Sequence, residues 1–306
     1  MNAAVQSILV ITLSNIGDAI MTTPVLEALH RRYPQAMIDL VADRRSSEVF
    51  SHCPYRGRIV LKDKRAGWRG TLKLVRDLRR TRYDLIVDLR TDGLAYLLRA
   101  RRRFTKWQCR PRGPHAVERH MGVIAALGVL DIPPTRIWLT PELERNATRH
   151  LRPLPGDRWL ALGPSANWEP KIWPAECFRA LIAQLRDSFD GLILLGGPGD
   201  TERCRAVVRD CPLPHVDLAG RTGLLEAAAV LARASVFVGN DSGLGHLASA
   251  VGTPTLTLFG PGEPRRYHPW GVQARWLTSP GNDLQRLHAE AVAEEIRTLR
   301  SEAAAT

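Results

Sequence analysis

The run Val236-Phe237-Val238-Gly239-Asn240-Asp241-Ser242-Gly243-Leu244-Gly245-His246-Leu247-Ala248-Ser249-Ala250 decides how the rest of the chain is read. An apolar, β-prone stretch stops at Gly239, small and polar residues follow, and a helical pattern begins near Leu244. Such a turn places backbone N–H groups and a helix N-terminus at the carboxyl edge of a parallel sheet, where a phosphate can sit. The chain then returns to a second buried strand, Thr255-Leu256-Thr257-Leu258-Phe259, followed by Gly260-Pro261-Gly262.

The same alternation extends in both directions. In the first half, strands are expected at 7–13, 37–41, 59–61 and 84–88, and helices at 18–32, 72–82, 94–101 and 115–127, the last ended by Gly128. Prolines and a glycine crowd the stretch 132–157, and the interdomain linker is placed near its end. The second half restarts with strands at 159–162, 191–195 and 216 and helices at 175–189, 201–210 and 223–232, and it closes with a helix at 289–301. Two β/α halves with short loops predict an α/β protein of two doubly wound, Rossmann-like domains facing each other across a cleft, at 1–155 and 156–306.

Composition bounds the function. The 306 residues suit two domains, 44% are hydrophobic, and no apolar run reaches the roughly 20 residues of a membrane span. No signal peptide is expected, because the short apolar run 8–13 leads straight into a Gly-Asp turn. The five cysteines are scattered without metal-site or CxxC spacing, which predicts free thiols in a cytosolic protein. The net charge is +12, with the excess densest between Arg56 and Arg119 and peaking at Arg101-Arg102-Arg103. That is either a solvated face or a surface that meets polyanions: nucleic acid, an anionic membrane or a phosphorylated glycolipid.

Four segments carry candidate chemistry. In Ser14-Asn15-Ile16-Gly17-Asp18, Gly17 allows a tight turn or close approach of a ligand. Asp18 either starts the helix as a cap or, at the end of the first strand, deprotonates a hydroxyl. In the loop Ser165-Ala166-Asn167-Trp168-Glu169-Pro170-Lys171-Ile172-Trp173-Pro174, Ser165 and Asn167 can donate to phosphate. Lys171 can sit against a diphosphate and stabilise a departing nucleotide. In Gly196-Gly197-Pro198-Gly199-Asp200-Thr201-Glu202, Asp200 or Glu202 can accept from a ribose or base, while Asp200 can equally cap the next helix. In the opening run, Asp241 can orient a sugar hydroxyl, and Ser242 and Gly243 can hold phosphates. His246 is either a satisfied helix residue or a phosphate or sugar contact. No G-x-G-x-x-G follows the first strand and no Walker lysine loop occurs, which argues against dehydrogenases and P-loop NTPases.

Taken together, Gly17-Asp18, Lys171-Ile172-Trp173-Pro174, Asp241-Ser242-Gly243-Leu244-Gly245-His246, Pro254-Thr255 and Phe259-Gly260-Pro261 resemble the heptosyltransferase family of bacterial glycosyltransferases, in order and spacing over nearly the whole chain. Gly245 stands where a larger or more polar residue is often found. The resemblance implies a GT-B type fold, with ADP-heptose on the C-terminal domain and an anionic glycolipid acceptor (Kdo-lipid A or heptosylated core) on the N-terminal one. It implies inversion by direct displacement, with Asp18 as general base and Lys171 stabilising the diphosphate with Asn167, Ser242, Gly243 and His246. Asp241 would contact the donor sugar and Asp200 the ribose. Ser165 joins the donor side, and Ser14, Asn15, Gly17 and Arg101, Arg102 and Arg103 the acceptor side. No metal or other cofactor is expected, because lysine and helix N-termini can supply the positive charge. In this fold the last helix often packs back on the first domain, and 289–301 could do so. The basic half then has a motive: peripheral attachment to the anionic cytoplasmic face of the inner membrane. Alternatives are another nucleotide sugar or acceptor on the same fold, or a basic nucleic-acid-binding protein. Against the latter stands the absence of helix-turn-helix, zinc or RNP signatures.

Overall fold

The computed structural model describes residues 4–63, 65–91, 93–129 and 131–304. They form two units that divide between Trp138 and Leu139. The first unit contains, in order, β1 (Ser7–Ile11), α1 (Ile16–Ile20), α2 (Thr23–Arg32), β2 (Met37–Ala42), β3 (Arg56–Leu61), α3 (Gly67–Leu78), β4 (Tyr83–Asp88), β5 (Ala100–Thr105) and α4 (Ala116–Val123). The second contains α5 (Pro141–Leu151), β6 (Trp159–Gly163), α6 (Ala175–Leu185), β7 (Gly191–Leu194), α7 (Thr201–Val207), β8 (His215–Asp217), α8 (Leu224–Leu231), β9 (Val236–Asn240), α9 (Gly243–Ala250), β10 (Thr255–Phe259), α10 (Pro264–Tyr267), β11 (Ala274–Thr278) and α11 (Ala289–Ala304).

Every strand pair is parallel, in the orders β3-β2-β1-β4-β5 and β11-β10-β9-β6-β7-β8. The central strands are apolar runs because helices cover both faces of such a sheet. Ile8, Leu9, Val10 and Ile11 are fully buried, as are Val236, Phe237 and Val238. Counted within each unit, both sheets run 3-2-1-4-5, the second adding a sixth strand. The order reverses between β1 and β4 and between β6 and β9. In doubly wound sheets, ligands bind beyond the carboxyl ends of the strands at such reversals.

Several expectations need correction. The helix expected at 18–32 is two helices, because Pro24 has no N–H to donate and its ring collides with the preceding turn. The break leaves carbonyls that side chains take up: the Thr22 hydroxyl donates to Ala19 O at 2.6 Å and that of Thr23 to Ile20 O at 2.7 Å. The helix expected at 94–101 is a single turn at Leu94–Leu97, and Arg101, Arg102 and Arg103 lie in β5. The open side of β4 recruits this segment as a strand, with Leu85 opposite Arg102 and Ile86 opposite Arg103. The proline-rich stretch holds α5, capped by the Thr140 hydroxyl with Pro141 at its first turn. His150 of α5 meets Glu226 of α8 at 3.0 Å, so α5 belongs to the second unit and the division falls before it rather than near 155. The apolar stripe of α11 (Val292, Ala293, Ile296, Leu299) is buried in the second unit's core with Leu181, Ile182 and Leu185 of α6. The last helix thus packs within the core of its own unit. The edge strand β11, which has no long apolar run, was not expected.

Candidate functional site

At the β6/β9 reversal, Gly163 faces Gly239 in register. A Cβ on Gly239 would lie 2.8 Å from the Gly163 carbonyl oxygen and 2.7 Å from the Phe237 ring, so both strands end in close backbone contact. Beyond them the chain turns at Asp241, whose N–H donates to Leu258 O at 3.1 Å. Ser242 is extended and starts α9. The first N–H groups of a helix have no acceptor within it and point out along the axis. The Ser242 Oγ is buried and has no hydrogen-bond partner. A buried hydroxyl left unsatisfied at a helix start costs stability unless a ligand bonds it. Gly245 is tight against β10, since a Cβ there would meet Thr257 Oγ1 at 3.0 Å and Pro269 at 3.4 Å. His246, one turn on, is buried.

Lys171 ends a single helical turn, Glu169–Lys171, in the loop after β6. Its Nζ lies 2.5 Å from Asp241 Oδ2, and both side chains are largely shielded from solvent. Gly262, after β10, lies against the same carboxylate, because a Cβ there would be 3.5 Å from Asp241 Oδ2. Three loops therefore converge on one ion pair. The Lys171 loop is fixed by Trp173, whose N–H donates to Asn240 Oδ1 and whose ring Nε1 donates to Leu287 O, both at 3.0 Å. That indole is fully buried and meets Phe178 edge-on. Ser165 is buried at the start of the loop, and Asn167 is exposed on its rim.

The glycine-rich turn after β7 is tied to the same loop by Arg203, which the sequence reading did not single out. Its guanidinium bonds Glu169 at 2.9 Å and lies 3.6 Å from Asp200. The Asp200 carboxylate also accepts from Gly197 N–H at 2.8 Å, a local capping role. Glu202 is turned outward and pairs with Arg205.

The first unit builds its reversal from charged side chains. Asn15 precedes α1, and Asp18 lies in the first turn of that helix. Instead of capping the backbone, Asp18 Oδ2 accepts from Asn15 Nδ2 at 2.9 Å. Arg90, just after β4, donates to the Ser14 hydroxyl and pairs with Asp43, just after β2, at 3.2 Å. Arg90 and Asp43 are 15% and 12% exposed, so this pair is partly desolvated. Asp88 underlies it, accepting from Arg90 N at 3.0 Å and Thr91 N at 2.7 Å, with Thr91 in the left-handed region at φ 58°. Arg90 and Asp43 were missed in the sequence. The available signal was a charged residue within two positions of the end of an apolar strand, Asp43 after β2 and Arg90 after β4.

The arginine triplet is not brought to this edge as a group. Arg101 pairs with Asp84 at 3.3 Å near the start of β4, four residues before Asp88, or about 13 Å along the strand. Arg103 donates to Ala95 O and Leu98 O, and Arg102 lies over the Phe104 ring. Among the described residues, no group of three or more His, Cys, Asp or Glu is placed to hold a metal ion.

The family profile described as Glycosyltransferase family 9 (heptosyltransferase) matches residues 92–296, well over half of the chain. Lipopolysaccharide heptosyltransferase 3 of Escherichia coli (strain K12) is 29% identical over 283 residues, spanning 83% of this chain and 82% of that protein. In fold, the chain is similar to a glycosyl transferase family 9 protein from Veillonella parvula DSM 2008, with TM-score 0.87, 23% identity and 99% of each chain covered. It is also similar to E. coli heptosyltransferase WaaC with ADP, with TM-score 0.78, 24% identity and 96% and 100% covered. The two doubly wound units are thus the GT-B architecture, and the chain belongs to glycosyltransferase family 9, the heptosyltransferases.

Proposed function

We propose that the chain transfers heptose from ADP-heptose to an anionic glycolipid of the lipopolysaccharide inner core, with inversion at the anomeric carbon. The observation that carries this reading is the β6/β9 reversal, where the Lys171–Asp241 pair adjoins the unpartnered Ser242 hydroxyl at the start of α9. Helix-start N–H groups, a hydroxyl and a cation suit a diphosphate, and the carboxylate suits a sugar hydroxyl. The relatives' names supply the sugar and the acceptor, and one structural neighbour carries ADP.

In this mechanism the diphosphate draws Lys171 away from Asp241, which is then available to the donor sugar. Ser242, Gly243, His246 and Asn167 complete the phosphate contacts, Ser165 supports them, and Asp200 takes the ribose. On the acceptor side Asp18 removes the proton of the attacking hydroxyl. The new C–O bond forms opposite the leaving group, the bond to the diphosphate breaks, and ADP departs with the electron pair. Lys171 and the α9 terminus supply the positive charge that a metal supplies elsewhere.

Thermal-shift measurements with ADP, UDP and GDP test the donor, because a ligand specific to the folded state raises its apparent stability. ADP is expected to stabilise; stabilisation by UDP and not by ADP overturns the reading.

The enzyme is proposed to work as a peripheral cytoplasmic protein at the inner face of the inner membrane. No described helix is long and apolar enough to cross a membrane. α3 exposes Trp68 and Leu72, at 72% and 60%, among exposed Arg69, Lys73 and Arg76. That face suits an anionic interface. Co-sedimentation with anionic vesicles should fall with salt; binding indifferent to salt and to anionic lipid counts against it.

A further inference from the structure

The first unit leaves a second aromatic feature in solvent, on a base whose Leu94, Ala95 and Leu98 share a core with Leu74, Val75 and Leu78 of α3. Tyr96 comes from the turn Leu94–Leu97 and Trp107 from the turn Lys106–Gln108 that follows β5. Their rings stack at 5.5 Å with an interplanar angle of 22°. They are nevertheless 50% and 72% exposed. Aromatic side chains bury more apolar area than almost any other, so a stacked pair held in water is a contact site awaiting an occupant.

The pair stands on a fixed base. Leu94, Ala95 and Leu98 are buried, and Arg103 grips the Ala95 and Leu98 carbonyls at 2.9 and 2.6 Å. Tyr96 Oη is 3.5 Å from Thr105 Oγ1, and Lys106 N–H donates to Thr91 Oγ1 at 3.2 Å. The last bond joins the platform to the end of β4, next to Arg90, which holds Ser14. The sheet order puts β5 two strands from β1, so the platform lies on the order of 10 Å along the carboxyl edge from the loop bearing Ser14 and Asp18. A disaccharide bridges that span.

We propose that Tyr96 and Trp107 form a stacking subsite for a sugar ring of the acceptor, one or two units from the hydroxyl that reacts. This rests on the glycosyltransfer reading above and names how the acceptor is gripped. A pyranose presents a face of C–H groups, which carry partial positive charge and pack on the negative face of an aromatic ring, while its hydroxyls stay in water at the rim. Exposed Lys106, Gln108 and Arg110 provide that polar rim. Its positive charge selects a ring bearing a carboxylate or phosphate. A bilayer is less well matched here, because the apolar ridge with an extended basic face is on α3.

The test uses the full-length enzyme, with ADP-heptose as donor and an acidic core glycolipid as acceptor. Trp107→Ala should raise the acceptor KM about tenfold or more, on the scale of aromatic stacking with flat rings, with donor KM and kcat at saturating acceptor little changed. Trp107→Phe should recover most of the loss. A delipidated acidic oligosaccharide titrated into the wild type should perturb tryptophan emission, and Trp107→Ala should lose that response. At 72% exposure the substitution is expected to leave the Tm unchanged. If the wild type transfers sugar and Trp107→Ala keeps its acceptor KM, the platform is wrong and the transfer reading stands. If the wild type transfers nothing while the oligosaccharide still binds at Trp107, the transfer reading fails and the saccharide site stands. Loss of vesicle binding with saccharide affinity intact would make the pair a membrane contact and overturn the proposal.

Discussion

At the ends of β6 and β9 the chain places glycines in contact, a buried serine and one shielded ion pair; at the ends of β1, β2 and β4 it places an arginine, three carboxylates and an asparagine. The strand order around the two points is the same. Under the transfer reading proposed above, one topology serves two kinds of ligand. A diphosphate brings its own charge, so the second unit needs backbone N–H groups, room, and a cation that can change partners. An acceptor hydroxyl is neutral and must be oriented and deprotonated, so the first unit needs a carboxylate beside a braced network. Arg90 ties loops that follow three strands, and Asp18 stands at its edge on a helix of five residues.

The most direct way to break this contrast is Asp18→Ala. Turnover should fall by about 10²–10⁴-fold, the usual weight of a general base, with ADP affinity unchanged because that ligand is assigned to the other unit. Wild-type turnover in a steady-state assay would remove Asp18 from the chemistry. Lys171→Ala should lower kcat by roughly 10²-fold and weaken ADP binding as well, since the lysine is proposed to serve both bound nucleotide and leaving group. A fall in kcat with unchanged ADP affinity by calorimetry would confine Lys171 to the transition state.

A third prediction loosens one side with acid. His120 of α4 is buried, its ring nitrogen is 3.3 Å from Met21 O at the break between α1 and α2, and burial lowers it to about 4. The unfolded chain takes up this proton near pH 6.5, the folded chain near 4. Stability is therefore fully present above about 6.5 and declines as pH falls to about 4, by on the order of 3 kcal/mol. Denaturant midpoints at pH 7 and 4.5 should show the decline, and His120→Gln should flatten it. An unchanged slope in that variant would assign the acid sensitivity elsewhere. The smallest effect is expected at Ser242→Ala. Removing an unpartnered buried hydroxyl should leave the ligand-free Tm unchanged or slightly higher, while ADP affinity drops by about 1 kcal/mol for one lost hydrogen bond. A lowered Tm without loss of affinity would make Ser242 structural.

The second-unit site was legible because each of its parts is local. The run from Val236 to Ala250 contains its own strand, turn and helix start, and Lys171 came from a separate Trp-Pro loop 70 residues before Asp241. The first-unit network was only half legible. Ser14 and Asp18 are neighbours in sequence, but Asp43 and Arg90 reach Ser14 only once the strand order sets β2 and β4 on either side of β1, and no window of sequence contains that order. The segment at 94–101 failed for the same reason: its leucine spacing is helical, and the open side of β4 overrode it. The break at Pro24 was a local signal that went unused. The linker was misplaced because five prolines and a glycine read as one loop, although Thr140-Pro141 is a helix start.

The arginines of β5 have a further bearing on how the protein behaves at high concentration. β5 is the outermost strand of its sheet, with one row of backbone donors and acceptors facing outward. Three consecutive cationic side chains occupy its middle, two of them exposed. A second molecule adding its own β5 would bring like charges into register on both faces of the joined sheet. The outer strands β3, with Arg56 and Arg58, and β11, with Arg275, carry similar guards. Part of the net charge of +12 thus keeps neighbouring molecules from joining edge to edge, and concentrated salt, by screening it, should favour self-association.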